Sequence, residues 1–157
     1  MPNIATTDHA DRDGLRDFLV GKRHLVLVTQ RSDGRPQVSP VTGVAVGGDD
    51  QHPLRLLVSS YPSRAKTKNL VRDAACTVLV LSDDFDGPWV TVYATASVRH
   101  GEDGVEALVD YYRAAAGEHD DWDEYRQAMR DRSKVCLDLA VDDWGPIATG
   151  GVPPEFA

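Results

Sequence analysis

Six apolar, β-branched runs dominate this chain, and their spacing limits what it can fold into. They fall at 25–30 (LVLVTQ), 36–46 (PQVSPVTGVAV), 54–60 (LRLLVSS), 75–81 (ACTVLVL), 89–98 (WVTVYATASV) and 134–141 (KVCLDLAV). Runs of this length and composition fit pleated, half-buried strands better than helices. "RSDGRP" joins the first two runs, and its Asp33-Gly34 pair is a tight hairpin turn. "GGDDQHP" turns the second run into the third. Pro40 removes a ladder donor and Gly43 follows it, which puts the second run at an edge or a bulge. Strands that begin as hairpins, with helices inserted late, predict a mainly β, α+β chain closed into a small six-stranded barrel.

The helical signals are shorter. Leu15, Phe18 and Leu19 share one face of a helix that Thr7 or Asp8 would cap and Gly21 would end. Residues 102–116 carry Val105, Leu108, Val109 and Tyr112 at helical spacing. Trp122, Tyr125 and Met129 continue as a second stripe, read as packing on the barrel rather than as a ligand box. The tail, 142–157, is rich in Gly and Pro, and 145–157 has no assignable role. No repeat divides the chain, so 1–157 reads as a single domain.

Charge and motif content exclude several functions. With 25 acids against 17 Lys and Arg, the net charge of −8 argues against a nucleic-acid or anionic-membrane partner. No run is long and apolar enough to span a membrane, and the start lacks a signal-peptide core, so a cytoplasmic protein is expected. Residues 102–124 hold nine of the acids, read as a solvated helix face. His9, His24, His52, His100 and His119 have no ligand spacing, so no metal is expected. Cys76 and Cys136 sit in apolar alternations and read as buried structural thiols. There is no nucleophile elbow and no Walker loop, and no catalytic side chain stands out. Any redox chemistry here belongs to a cofactor.

One cluster runs against the acidic background. In "SSYPSRAKTKNLVRDA", residues 59–74, Arg64, Lys66 and Lys68 gather where a helix begins. Cations at a helix N-terminus are mildly unfavourable unless an anion is shared with the free backbone N–H groups. Ser59 and Ser60, at the preceding strand end, would add donors. The charges alone leave two readings: a phosphate site, or ordinary solvated cations.

"TQRSDGRPQVSPV", then "SSYPSRAKTKNLVRDAACTVLVL", then "WVTVYATASV" resemble the flavin/deazaflavin oxidoreductase superfamily, the split β-barrel group related to pyridoxamine-phosphate oxidase. The similarity runs from Leu15 to Trp144, and its most specific piece is Arg64, Lys66, Asn69, Leu70 and Asp73. The resemblance implies a homodimer that carries coenzyme F420, a deazaflavin, or alternatively FMN. It implies hydride transfer to an electron-poor conjugated small molecule such as a quinone or a tetrapyrrole. A non-catalytic cofactor or tetrapyrrole carrier of the same fold is the rival from another class. By resemblance, Arg64 and Lys66 hold the cofactor phosphate, with Ser59, Ser60 and Asn69 nearby. The strand Gln37, Val38, Ser39, Pro40 and Val41, continuing to Thr42, passes beside the ring system. The stretch from Trp89 to Thr91, with Trp144, approaches from the second chain. FMN members commonly place more basic residues on the third strand, where this chain has only Arg55. Ala74 stands where the family often has proline.

Overall fold

Period-two burial sets the architecture. The structure is a computed structural model that describes residues 3–157. Its elements, in chain order, are β1 (Thr6–Asp8), α1 (Arg12–Leu19), β2 (His24–Gln30), β3 (Pro36–Val46), β4 (Arg55–Ser60), α2 (Ala65–Arg72) and β5 (Ala75–Leu81). They continue with β6 (Val90–Arg99), α3 (Gly101–Ala116), α4 (Trp122–Asp131), β7 (Val135–Trp144), β8 (Ile147–Thr149) and a 3₁₀ turn (Pro154–Phe156). Six of the strands close an antiparallel barrel in the order β2-β3-β4-β7-β6-β5, as the six runs predict. Leu25 and Leu27 of β2, Val78 and Val80 of β5, Val90 and Val92 of β6, and Leu137 and Leu139 of β7 fill the interior. Leu15 and Leu19 of α1 join that same core.

The cap of α1 differs from the expected one. Asp11, not Thr7 or Asp8, accepts the Gly14 N–H on Oδ1 at 2.8 Å. Thr7 and Asp8 are already committed to β1, which pairs with β8. The chain tail therefore has a structural role that its Gly- and Pro-rich composition hides. Trp89 bridges to Ala148 and Ile4 to Val152, which lays the β1–β8 ribbon beside the start of β6. Gly151 permits the close approach of the ribbon to residue 3. Its φ is +139°, and a Cβ there would lie 2.4 Å from the Asn3 carbonyl oxygen.

β3 behaves as its Pro40 and Gly43 foretell. Residues 36–42 pair only with β2, whereas 43–46 pair with β4. The first half of β3 is thus an open edge, where a missing proline N–H costs no ladder bond. Gly43 marks the changeover; a Cβ there would meet Leu25 Cδ2 at 2.5 Å.

The barrel's outer surface is finished on one side. α3 and α4 cover the end of β3, with β4 and β7, through Val44, Leu57, Cys136, Val105, Leu108 and Met129. Met129 is buried in that layer and Tyr125 donates its hydroxyl to the Leu108 carbonyl at 2.8 Å. Trp122, expected beside them, instead closes the α3–α4 corner against Tyr112, His119 and Tyr125. On the opposite side, Val26 and Val28 of β2 and Leu79 and Leu81 of β5 stay half-buried, with no helix among the described residues lining that side. Cys76 lies in the interior and Cys136 in the helix-covered layer, on opposite faces of the sheet, and both are free thiols.

Candidate functional site

The cation cluster sits where β4 hands over to α2. Arg64 takes an extended conformation as the N-cap, and no side chain caps the helix. The first-turn N–H groups therefore point outward without an acidic partner, and the first turn contains no acid. Lys66 is half-buried in that turn and Lys68 is exposed, so the two face apart. Neither lysine nor Arg64 is among the ion pairs of the described residues. Burial, and then the neighbouring Arg64 charge, lower the Lys66 pKa below the ordinary lysine value. A partly desolvated ammonium without a counter-charge, beside free backbone donors, is a ready anion site.

Other predicted residues serve to fix that helix. The Ser60 hydroxyl shares a 2.8 Å hydrogen bond with Thr67 Oγ1. Asn69 is buried; its Nδ2 donates to Thr29 Oγ1 at 3.1 Å and its Oδ1 accepts from Arg72 at 3.2 Å. Arg72 also reaches the Gln30 carbonyl at 2.5 Å. Ser60 and Asn69 thus brace α2 against β2 and β4, and hold Lys66 in place through the helix. Ser59, half-buried, pairs with Cys136 across the β4–β7 ladder.

The open edge of β3 supplies a second wall. Gln37, Ser39 and Val41 turn inward and are half-buried, while Val38 and Pro40 are exposed. Gln37 Oε1 lies 3.4 Å from Thr29 Oγ1. Among the described residues, Ser39 Oγ is the buried side-chain polar atom without a hydrogen-bond partner. Leaving such an atom unpaired costs about 1–3 kcal/mol, and buried polar atoms of this kind are usually satisfied. The unpaired side of residues 36–42 leaves backbone donors and acceptors free for a polar planar ligand along this edge.

The two predicted tryptophans separate. Trp144 Nε1 donates to the Ala10 carbonyl at 2.9 Å and pins the segment before α1 to the barrel. Trp89 lines a cleft of about 760 Å³ on the uncovered side, with Val26, Val28, Leu79 and Leu81. Phe85, Asp86, Asn3 and Gly150–Gly151 complete its rim. The residue pattern does not announce this cleft. Its floor comes from the outward-facing members of β2 and β5, and its rim from a loop and the β1–β8 ribbon. The one available signal was parity, because Val26, Val28, Leu79 and Leu81 are apolar at positions opposite the core-facing set.

A family model described as pyridoxamine 5'-phosphate oxidase matches residues 12–147. The chain belongs to that family. The match spans α1 to the first residue of β8, so it contains α2, the β3 edge and the floor of the cleft. Solved structures agree on the fold at low identity. A conserved hypothetical protein from Mycobacterium tuberculosis superposes with a TM-score of 0.70 at 16% identity, over 89% of this chain and 86% of that one. An F420 reductase gives 0.60 at 17%, over 83% and 94%. The heme storage protein of Vibrio cholerae gives 0.61 at 18%, over 88% and 94%. Proteins of this fold thus include an F420 reductase and a heme storage protein.

Proposed function

We propose that this member of the family is an oxidoreductase that binds coenzyme F420 and reduces an electron-poor conjugated small molecule. The observation that carries the reading is Lys66, a half-buried cation with no acidic partner in the first turn of an uncapped helix. Lys66, Arg64 and the α2 N–H groups would hold the cofactor phosphate. Ser39, with the strand from Gln37 to Val41, would lie along the ring system. When bound and reduced, the deazaflavin supplies a hydride equivalent. The chain's own contribution is to anchor the phosphate, present one ring face and exclude water. No acid or base is needed from the protein if solvent supplies the proton.

FMN presents the same phosphate and a similar ring, and would use the same anchor. The chain's features favour the deazaflavin. Arg55, the one cation of β4, is bound to the Asp138 carboxylate at 2.6 Å and is not free for a phosphate. The likeness to an F420 reductase points the same way. A carrier role is the second reading, supported by the likeness to a heme storage protein and by the lack of an acid–base pair.

The working unit is a homodimer in this reading. The half-buried apolar face of β2 and β5 is the surface a second copy would cover, turning the cleft at Trp89 from an open groove into an enclosed site between chains. Titration of the purified protein with F420 and with FMN, followed by fluorescence quenching, tests the cofactor. Tighter F420 binding, lost in Lys66→Ala, supports the proposal; FMN-only binding, or binding indifferent to Lys66, refutes it. Turnover with quinones and tetrapyrroles under reduced cofactor then separates reductase from carrier.

A further inference from the structure

We infer that Gln37 is set as a hydrogen-bond donor to the ring lying along the β3 edge, and that α2 sets it through Asn69 and Thr29. The identity of the ring rests on the proposed cofactor reading; the polarity rests on bonds within the chain alone. A side-chain amide can turn end for end with little change in shape, so its neighbours decide which end points where. The series of contacts begins at Arg72. Its guanidinium can only donate, so the Asn69 atom that meets it at 3.2 Å is the acceptor Oδ1. Asn69 Nδ2 then faces Thr29 and donates to Oγ1 at 3.1 Å. Arg72 is itself fixed by the carbonyl of Gln30, the residue after Thr29.

Thr29 and Asn69 are 1% and 7% exposed, so their polar atoms must find partners within the chain. The Thr29 hydroxyl has one hydrogen, and with Asn69 as its donor that hydrogen is left for another acceptor. Among the described residues it finds Gln37 Oε1 at 3.4 Å, a loose contact across the Thr29–Gln37 strand pair. The oxygen end of the Gln37 amide is thereby drawn to the core, and its NH2 end is turned to the exposed side. There its contact within the chain is a 3.5 Å approach to the Val38 carbonyl, too long to satisfy both hydrogens. A ligand on this edge therefore meets a donor and must answer with an acceptor. Deazaflavin and flavin rings both carry carbonyl oxygens at one end. Of the three residues, Gln37 alone touches the ring; Asn69 and Thr29 are positioning residues. The helix that offers its first turn to the phosphate thus also orients the ring contact, through Asn69.

The test begins with the full chain free of ligand, isotope-labelled, with side-chain amide hydrogen exchange followed by NMR at neutral pH. The Asn69 NH2 should exchange at least about tenfold more slowly than the Gln37 NH2. Asn69→Asp keeps the shape and the Arg72 partner, which holds the carboxylate ionised, but removes the donor. The Thr29 hydrogen then swings back and the Gln37 amide turns over, so its NH2 should slow by about tenfold. Binding of deazariboflavin, the ring without a phosphate, is read by fluorescence. Asn69→Asp should weaken it about tenfold, and Thr29→Val, which cuts the relay without reversing it, by about threefold or less. In a Gln37→Leu background, Asn69→Asp should change ring affinity by less than about twofold, because it acts through Gln37. Three results overturn the inference: a protected Gln37 NH2 in the native chain, an Asn69→Asp variant that leaves Gln37 exchange or ring affinity unchanged, or a Thr29→Val loss as large as the Asn69→Asp loss. If the expected exchange pattern holds while no deazaflavin ring binds, the cofactor reading fails and the donor assignment stands.

Discussion

Two outer faces of one barrel are built from similar residues and meet opposite fates. β7 is buried continuously from Val135 to Leu139, because its inner side chains fill the barrel and its outer ones lie under the helical layer. β2 alternates between buried and half-buried, because only its inner side has a cover. Yet the outward residues of β2 and β5 include Val26, Val28, Leu79 and Leu81. A strand apolar on both faces normally has both faces covered. The chain completes the first face with its own helices, inserted between β6 and β7, and leaves the second half-buried. In the proposed reading, a second copy covers it.

The largest expected effect lies on the completed face. Leu57→Ala should cost about 2–5 kcal/mol of unfolding free energy, read from denaturant titration, since Leu57 is fully buried beneath α3. The counterpart on the open face is Leu79→Ala, which removes a half-buried side chain. It should cost clearly less at protein concentrations where the dimer is dissociated. Equal losses at the two positions would erase the distinction between the faces.

Next in size is the anion site. Lys66→Ala should weaken cofactor binding by about tenfold to a hundredfold, while Lys68→Ala should bind nearly as well as the native protein. Isothermal titration of both variants side by side checks this; equal effects would return the cluster to ordinary solvated cations. The binding should also depend on pH in a defined direction. The Lys66 pKa is lowered, so its ammonium is lost at a lower pH than for an ordinary lysine. Cofactor affinity should fall as pH rises through that lowered pKa, and Lys66→Ala should flatten the profile.

The smallest effects concern the thiols. Burial, and then Asp142, push the Cys76 thiol up to about 11; burial, and then Asp138, push Cys136 up to about 12. The unfolded chain loses these protons first. Stability should therefore be intact below the ordinary thiol value and decline as pH rises beyond it toward the folded-state values. At neutral pH, iodoacetamide should label neither cysteine until the protein unfolds, and the double Cys→Ala variant should keep its cofactor affinity.

What the sequence revealed follows the same division. The six strands, the Asp33-Gly34 turn and the edge at Pro40 and Gly43 were legible, because local alternation and backbone chemistry fix them. Lys66 and Lys68 were separable because i and i+2 positions do not share a helix face. The bracing roles of Ser60 and Asn69 were not legible, since Thr67 lies in the same stretch as Ser60 but Thr29 is 40 residues from Asn69. The α1 cap moved to Asp11 because Thr7 and Asp8 were recruited by β8, a pairing between chain ends that no local pattern encodes. By resemblance Trp144 approaches the site from the second chain; within its own chain its indole N–H is held by the Ala10 carbonyl, a contact 134 residues away in sequence. The cleft around Trp89 has no local signature for the same reason as the ribbon, since it is assembled from distant segments.

The most direct test of the account combines assembly with binding. Sedimentation velocity of the native protein and of Leu79→Asp, each with deazaflavin added and absorbance followed at the cofactor's own band, reads both in one run. The account predicts that the native chain sediments as a dimer carrying one deazaflavin per chain. It predicts that Leu79→Asp sediments as a folded monomer with the cofactor left behind. A native monomer at micromolar concentration that still carries its full complement of deazaflavin would contradict it.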